Sequence, residues 1–133
     1  IKGNPKIAGL NKDIQTEKGK AVYMQTCFVC HQPEGEGIPG QIPPLANADY
    51  LQKMSKEDAI RTVLFGRSGE VVVNGKTYNG IMTPLNYLND EDVANVLTYV
   101  RNSWGNSGTP VTPREVSKVR AEAPPPSAET SFE

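Results

Sequence analysis

Cys27-Phe28-Val29-Cys30-His31 (CFVCH) holds both cysteines of a 133-residue chain and its single histidine. Two thiols three apart with an imidazole directly after them fit chance poorly. A zinc site needs four ligands. Three soft ligands are available here, and adjacent Cys30 and His31 are badly placed to close a tetrahedron with Cys27. A redox dithiol belongs at the start of a helix that follows a strand, where the helix dipole lowers the thiol pKa. CFVCH instead stands at the end of a helical stretch and before a Gly/Pro loop, so that field runs the wrong way. On a helical turn, positions i, i+3 and i+4 share a face, so Cys27, Cys30 and His31 converge. C-x-x-C-H is the signature of covalent haem c attachment: two thioethers to the haem and an imidazole within reach of its iron. That reading is favoured over the dithiol.

With one histidine, the second axial position must be filled by methionine, by another group, or by nothing. Met24, Met54 and Met82 are the candidates. Met24 lies one turn before Cys27, on the same side of the haem as His31. Met54 precedes a helix cap and suits a core position. Met82 falls in a turn-rich stretch (YNGIMTPL, 78–85), far enough along the chain to return on the opposite face. Met82 is therefore the expected ligand, since a thioether is an established haem iron ligand.

Around these residues the chain reads as one haem domain with extensions. Residues 1–15 show no sustained period and are expected to be irregular. Thr16 is expected to cap a helix running towards Cys30, with Gly19, Tyr23 and Cys27 on one face. A mid-helix glycine costs up to about 1 kcal/mol relative to alanine, so Gly19 implies a close backbone contact. Residues 32–49 are a Gly/Pro-rich loop. Ser55 and Gly66 bracket a helix with apolar Ala59, Ile60, Val63 and Leu64. Asn74-Gly75 predicts a hairpin over 71–78. Asn89, followed by Asp90, Glu91 and Asp92, opens a helix with Val93, Val96, Leu97 and Val100 on its buried stripe. Residues 105–112 read as a linker. Thr112-Pro113-Arg114-Glu115 starts a short helix, and 122–133 read as a disordered Pro-rich tail.

Fourteen basic and fifteen acidic residues leave a net charge of −1, unlike the basic excess of a nucleic-acid binder. No apolar run approaches the roughly 20 residues of a membrane span. The chain opens at Ile1 without the pattern of a secretory leader, so any leader is expected to have been removed. Only 37% of residues are hydrophobic, a thin supply for a core that a bound haem would supplement.

Over residues 15–104, CFVCH, Gly19, Tyr23, Pro43-Pro44-Leu45, Met82, Val96 and Tyr99 together resemble a class I, mitochondrial-type cytochrome c. The resemblance implies an all-α fold of three or four helices around one covalently bound haem c, here with a short β-hairpin. It implies that the helix bearing the haem motif crosses the last helix of the domain, Gly19 and Tyr23 meeting Val96 and Tyr99. It also implies that a proline carbonyl, Pro43 or failing that Pro44, accepts the second N–H of His31. The Gly35-Glu36-Gly37 loop and the Met82 segment would frame the haem edge. Arg67 and Trp104 are either propionate partners or ordinary surface and packing residues.

VNGKTYNGIMTPL (73–85), LNDEDVANVLTYVRNSWGN (88–106) and TPREVSKVRAEA (112–123) are similar to the haem domain of haem-containing copper nitrite reductases and to related small bacterial cytochromes. This implies a one-electron carrier, free or part of a larger redox enzyme, rather than an enzyme in its own right. It further implies a periplasmic location and a redox partner such as copper nitrite reductase or a respiratory complex. A five-coordinate, ligand-binding or peroxidase-type haem protein is the less favoured alternative, because no second histidine exists to serve distal catalysis.

Overall fold

A computed structural model of the chain describes residues 5–122, with side chains from residue 13 onward. Its elements are α1 (Pro5–Thr26), α2 (Phe28–His31), α3 (Asp49–Lys53), α4 (Lys56–Phe65), β1 (Arg67–Val73), β2 (Lys76–Met82), α5 (Asp90–Val100) and α6 (Pro113–Ala121). Among the described residues, six helices and a two-stranded antiparallel sheet stand where three or four helices and a short hairpin were expected, a mainly helical architecture as anticipated.

The centre of the molecule is α5. Every residue from Val93 to Val100 is buried. Val93, Ala94 and Leu97 meet α4 and α6 in one apolar cluster. Val96, Tyr99 and Val100 meet Tyr23, Leu51, Val73 and Tyr78 in a second. Local chemistry sets its start, because the Asn89 side chain accepts from the Asp92 amide at 2.7 Å and three acidic residues complement the helix dipole. The cap of α4 is Ser55, which accepts from the Asp58 amide. Gly66 ends α4 at φ 77°, a conformation that suits glycine. In α6, Thr112 and Glu115 exchange the two hydrogen bonds of a capping box behind Pro113.

Crossing of α1 over α5 is as close as Gly19 suggests. A Cβ added there would lie 2.0 Å from the Asn95 carbonyl oxygen and 2.8 Å from Tyr99 Cβ. The two backbones touch, and hydrogen is the largest side chain the contact admits.

Three expectations need correction. Residues 5–15, expected to be irregular, continue α1, and Thr16 lies inside the helix rather than at its cap. Pro5 is tolerated because the first turn needs no intrahelical N–H, and Gln15 is tied down by donating from Nε2 to the Val111 carbonyl. The hairpin is longer than 71–78, pairing Arg67 with Met82 at its open end and Val73 with Lys76 at the turn. Asn74 and Gly75 both take positive φ, 52° and 80°, as the tight Asn-Gly turn requires. The 105–112 segment is docked, not a free linker: Val111 is fully buried and its amide donates to Thr98 Oγ1. The Pro-rich tail, residues 123–133, lies outside the described residues.

Candidate haem-attachment site

CFVCH sits at a break between two helices. Thr26 turns its hydroxyl back to the Val22 carbonyl at 2.8 Å, a bond that competes with the helical ladder and favours a bend. Helix α1 ends there, Cys27 caps α2, and the amides of Cys30 and His31 both point to the Cys27 carbonyl, at 3.2 and 2.9 Å. The motif is thus one tight turn, as the i, i+3, i+4 spacing requires. Cys27 is half-buried and Cys30 exposed, both as free thiols. Burial pushes the Cys27 thiol up, outweighing the hydrogen bond from Thr26. That direction is the reverse of the lowered thiol pKa a dithiol oxidoreductase needs.

His31 is oriented from behind. Its Nδ1 lies 3.3 Å from the Pro43 carbonyl oxygen. A carbonyl only accepts, so this contact is a hydrogen bond in the tautomer with the proton on Nδ1, which leaves the Nε2 lone pair free. Burial lowers the proton affinity of the ring, opposed by the Pro43 bond, so the neutral, metal-binding form is favoured. Pro43 reaches His31 because the loop folds back tightly. The Gly37 amide donates to the His31 carbonyl at 3.0 Å. A Cβ at Gly37 would lie 2.3 Å from the Ile42 oxygen and 2.8 Å from the Pro43 oxygen. Gly35 accepts from both Leu45 and Ala46.

An aromatic trio backs this turn. Ring centroids lie 5.6 Å apart for Tyr23–Tyr99, 5.2 Å for Tyr23–Trp104 and 5.3 Å for Tyr99–Trp104, at the tilted or edge-on angles aromatic quadrupoles prefer. Tyr23 donates its hydroxyl to the Gln32 carbonyl at 2.5 Å, fastening the residue after the motif to α1. Burial pushes the Tyr23 phenol well above its usual range, so it stays a donor. Trp104 packs within this trio and against Gly35, where a Cβ would come within 2.6 Å of the indole. That contact is the packing role of the two weighed for it. Arg67 lies over the Tyr50 ring at 5.4 Å.

Of the three methionines, Met24 is exposed and Met54 packs on the α4–α5–α6 cluster. Half-buried Met82 closes β2; it belongs to a strand end rather than to the expected loop. Directly paired residues share a face of a sheet, so Met82 lies on the same face as Arg67, Val71, Tyr78 and Val73. Of these, Val73 and Tyr78 are buried.

Two thiols and a neutral imidazole on one turn, with a carbonyl behind the imidazole, are the donor set that a covalent haem requires. Such a turn, in a small domain whose described residues form six helices and one hairpin, defines a c-type haem protein of the electron-carrying class. The chain belongs to the cytochrome c family, whose pattern matches residues 16–104. It is similar to cytochrome c-552 of Thermus thermophilus, 40% identical over 112 residues that cover 78% of this chain and 85% of the relative. It is also similar to the cytochrome c subunit of the quinone alcohol dehydrogenase of Gluconobacter oxydans, 30% identical over 120 residues. That match covers 87% of this chain and 24% of the subunit. A third relative is the FixP subunit of the cbb3-type cytochrome c oxidase of Bradyrhizobium diazoefficiens, 30% identical over 112 residues, 77% of this chain and 37% of that subunit. The chain is an electron carrier with a covalently bound haem c.

Tyr23 bonding to Gln32 and the role of Gly37 were not foreseen. The positive φ of Gln32 (70°) has no signature in a side chain. The Gly-x-Gly pattern at 35–37 was the available signal for Gly37.

Proposed function

We propose that Cys27 and Cys30 hold the haem, that His31 Nε2 and the Met82 thioether are its two axial ligands, and that Pro43 orients His31. Haem c supplies a one-electron Fe(III)/Fe(II) couple. The observation that carries the reading is the His31–Pro43 contact, which engages Nδ1 and leaves the Nε2 lone pair for a metal. The Pro43 bond fixes the ring, raises its basicity as a ligand and limits reorganisation between oxidation states. The soft Met82 thioether favours Fe(II) and so raises the reduction potential.

The test is spectroscopic. Wild-type ferric protein should be low-spin with the weak long-wavelength band of Met–Fe(III) bonding, and Met82→Ala should abolish that band and lower the potential. High-spin ferric haem in the wild type would overturn the assignment and favour the five-coordinate alternative.

A periplasmic site of action and a respiratory redox partner complete the proposal. Support comes from the relatives, which include cytochrome subunits of a dehydrogenase and of an oxidase. Delivery to a copper nitrite reductase is the narrower form of the same reading and rests on the resemblance in residues 73–85 and 88–106. Stopped-flow oxidation of the reduced protein by a copper nitrite reductase separates the two: rapid oxidation supports the narrower form, and inertness removes it.

A further inference from the structure

The segment from Met82 to α5 is gripped at both ends. Upstream, the Leu85 amide donates to the Val63 carbonyl at 2.8 Å. A Cβ at Gly66 would lie 2.5 Å from the Met82 oxygen and 3.0 Å from the Pro84 nitrogen. Downstream, one side chain from α6 makes the connection. Arg120 donates from Nε to Asp90 Oδ1 at 2.8 Å, from Nη1 to the Asn86 carbonyl at 2.9 Å and from Nη2 to the Leu88 carbonyl at 2.7 Å. The planar guanidinium fork is suited to bridging several fixed acceptors, which a lysine ammonium is not. Two of the three acceptors are backbone carbonyls of the methionine segment, and the third is in the first turn of α5. Helix α6 itself lies beyond residues 16–104 that match the family pattern. Leu88 is buried in the domain core, and the Arg120 fork adds a second hold on the same stretch from outside the matched residues.

We propose that α6 is a latch on the methionine segment, and that Arg120 is a positioning residue that sets how readily Met82 leaves the iron. The inference rests on the assignment of Met82 as axial ligand. Release of the thioether requires the 83–88 segment to move, and that movement must break or carry along the Arg120 fork. Helix α6 is held at its other end by an independent contact, Lys56 Nζ to Glu115 at 2.8 Å, so the fork can be loosened without undocking the helix.

The experiment uses the full-length, haem-loaded ferric protein and imidazole as a competing ligand. Arg120→Gln should keep the Met–Fe(III) band at neutral pH but lower the half-saturating imidazole concentration by about tenfold, the scale of one charge-assisted hydrogen-bond network. The midpoint of alkaline loss of the band should fall in parallel, by about one pH unit. Arg120→Lys should give an intermediate shift, and carries the same comparison if the glutamine variant does not fold. Lys56→Met, which weakens α6 docking elsewhere, should lower the unfolding midpoint while leaving imidazole affinity unchanged. Wild-type imidazole affinity in both Arg120 variants overturns the latch, as does an equal shift in Lys56→Met. A wild-type protein without the Met–Fe(III) band overturns the Met82 assignment, and the latch with it.

Discussion

At Gly19 a single hydrogen atom decides how close two helices come. The Asn95 oxygen sits where a Cβ would go, and it is backbone, with no rotamer to change. Gly19→Ala must push α1 off α5, and overpacking of this kind costs about 1–3 kcal/mol or more. Guanidinium unfolding of the haem-loaded protein should show a loss at the top of that range despite the better helix propensity of alanine.

Elements with local signatures were legible, and those defined by their partners were not. Ser55, Asn89 and Thr112 announce helix starts through their own side chains, and each accepts from the amide three residues on. The first half of α1 carries no such signature. Its helical state depends on continuity with a segment docked on α5 and on a bond from Gln15 to a residue 96 positions away. The hairpin was visible at Asn74-Gly75. Its outer ladder pairs Gly69 with Gly80 and Ser68 with Ile81, residues with little shared strand preference. Thr112→Ala should cost about 1 kcal/mol, since it removes the hydroxyl that accepts from the Glu115 amide and donates to the Glu115 carboxylate, while the backbone amide at 112 still donates to Glu115. Burial alone would raise the Glu115 carboxyl, but hydrogen bonds from Lys56 and Thr112 hold it below the usual carboxylate range. Its contribution is therefore present at neutral pH and lost as pH falls through that lowered value. Thermal unfolding of Thr112→Ala at neutral and acid pH should show a penalty that shrinks on the acid side.

For the whole molecule, the two apolar clusters meet along α5, and the haem-attachment turn lies beside the second of them. A haem clamped there would add apolar area to a chain with a thin supply of its own, so folding and attachment are coupled. Cys27→Ala/Cys30→Ala, made without cofactor, should therefore lack cooperative thermal unfolding and near-ultraviolet circular dichroism. Cooperative unfolding with native helix content would contradict that coupling.

By itself, the sequence determined the chemistry of the site. Covalent attachment depends on residue types at short spacing, so Cys27, Cys30 and His31 could be read directly. The scarcity of Cys and His elsewhere removed the competing metal sites. The close approach at Gly19 was legible from a glycine inside a helix, its partner helix and the role of Pro43 came through family resemblance, and the contacts with Asn95 and His31 depend on how distant segments cross. Tertiary structure alone decided that Met82 ends a strand, that Trp104 packs against Gly35, and that Arg120 reaches back about thirty residues to hold the segment after Met82. These are properties of backbone atoms brought together by packing, and a carbonyl oxygen leaves no mark on the identity of the residue that carries it.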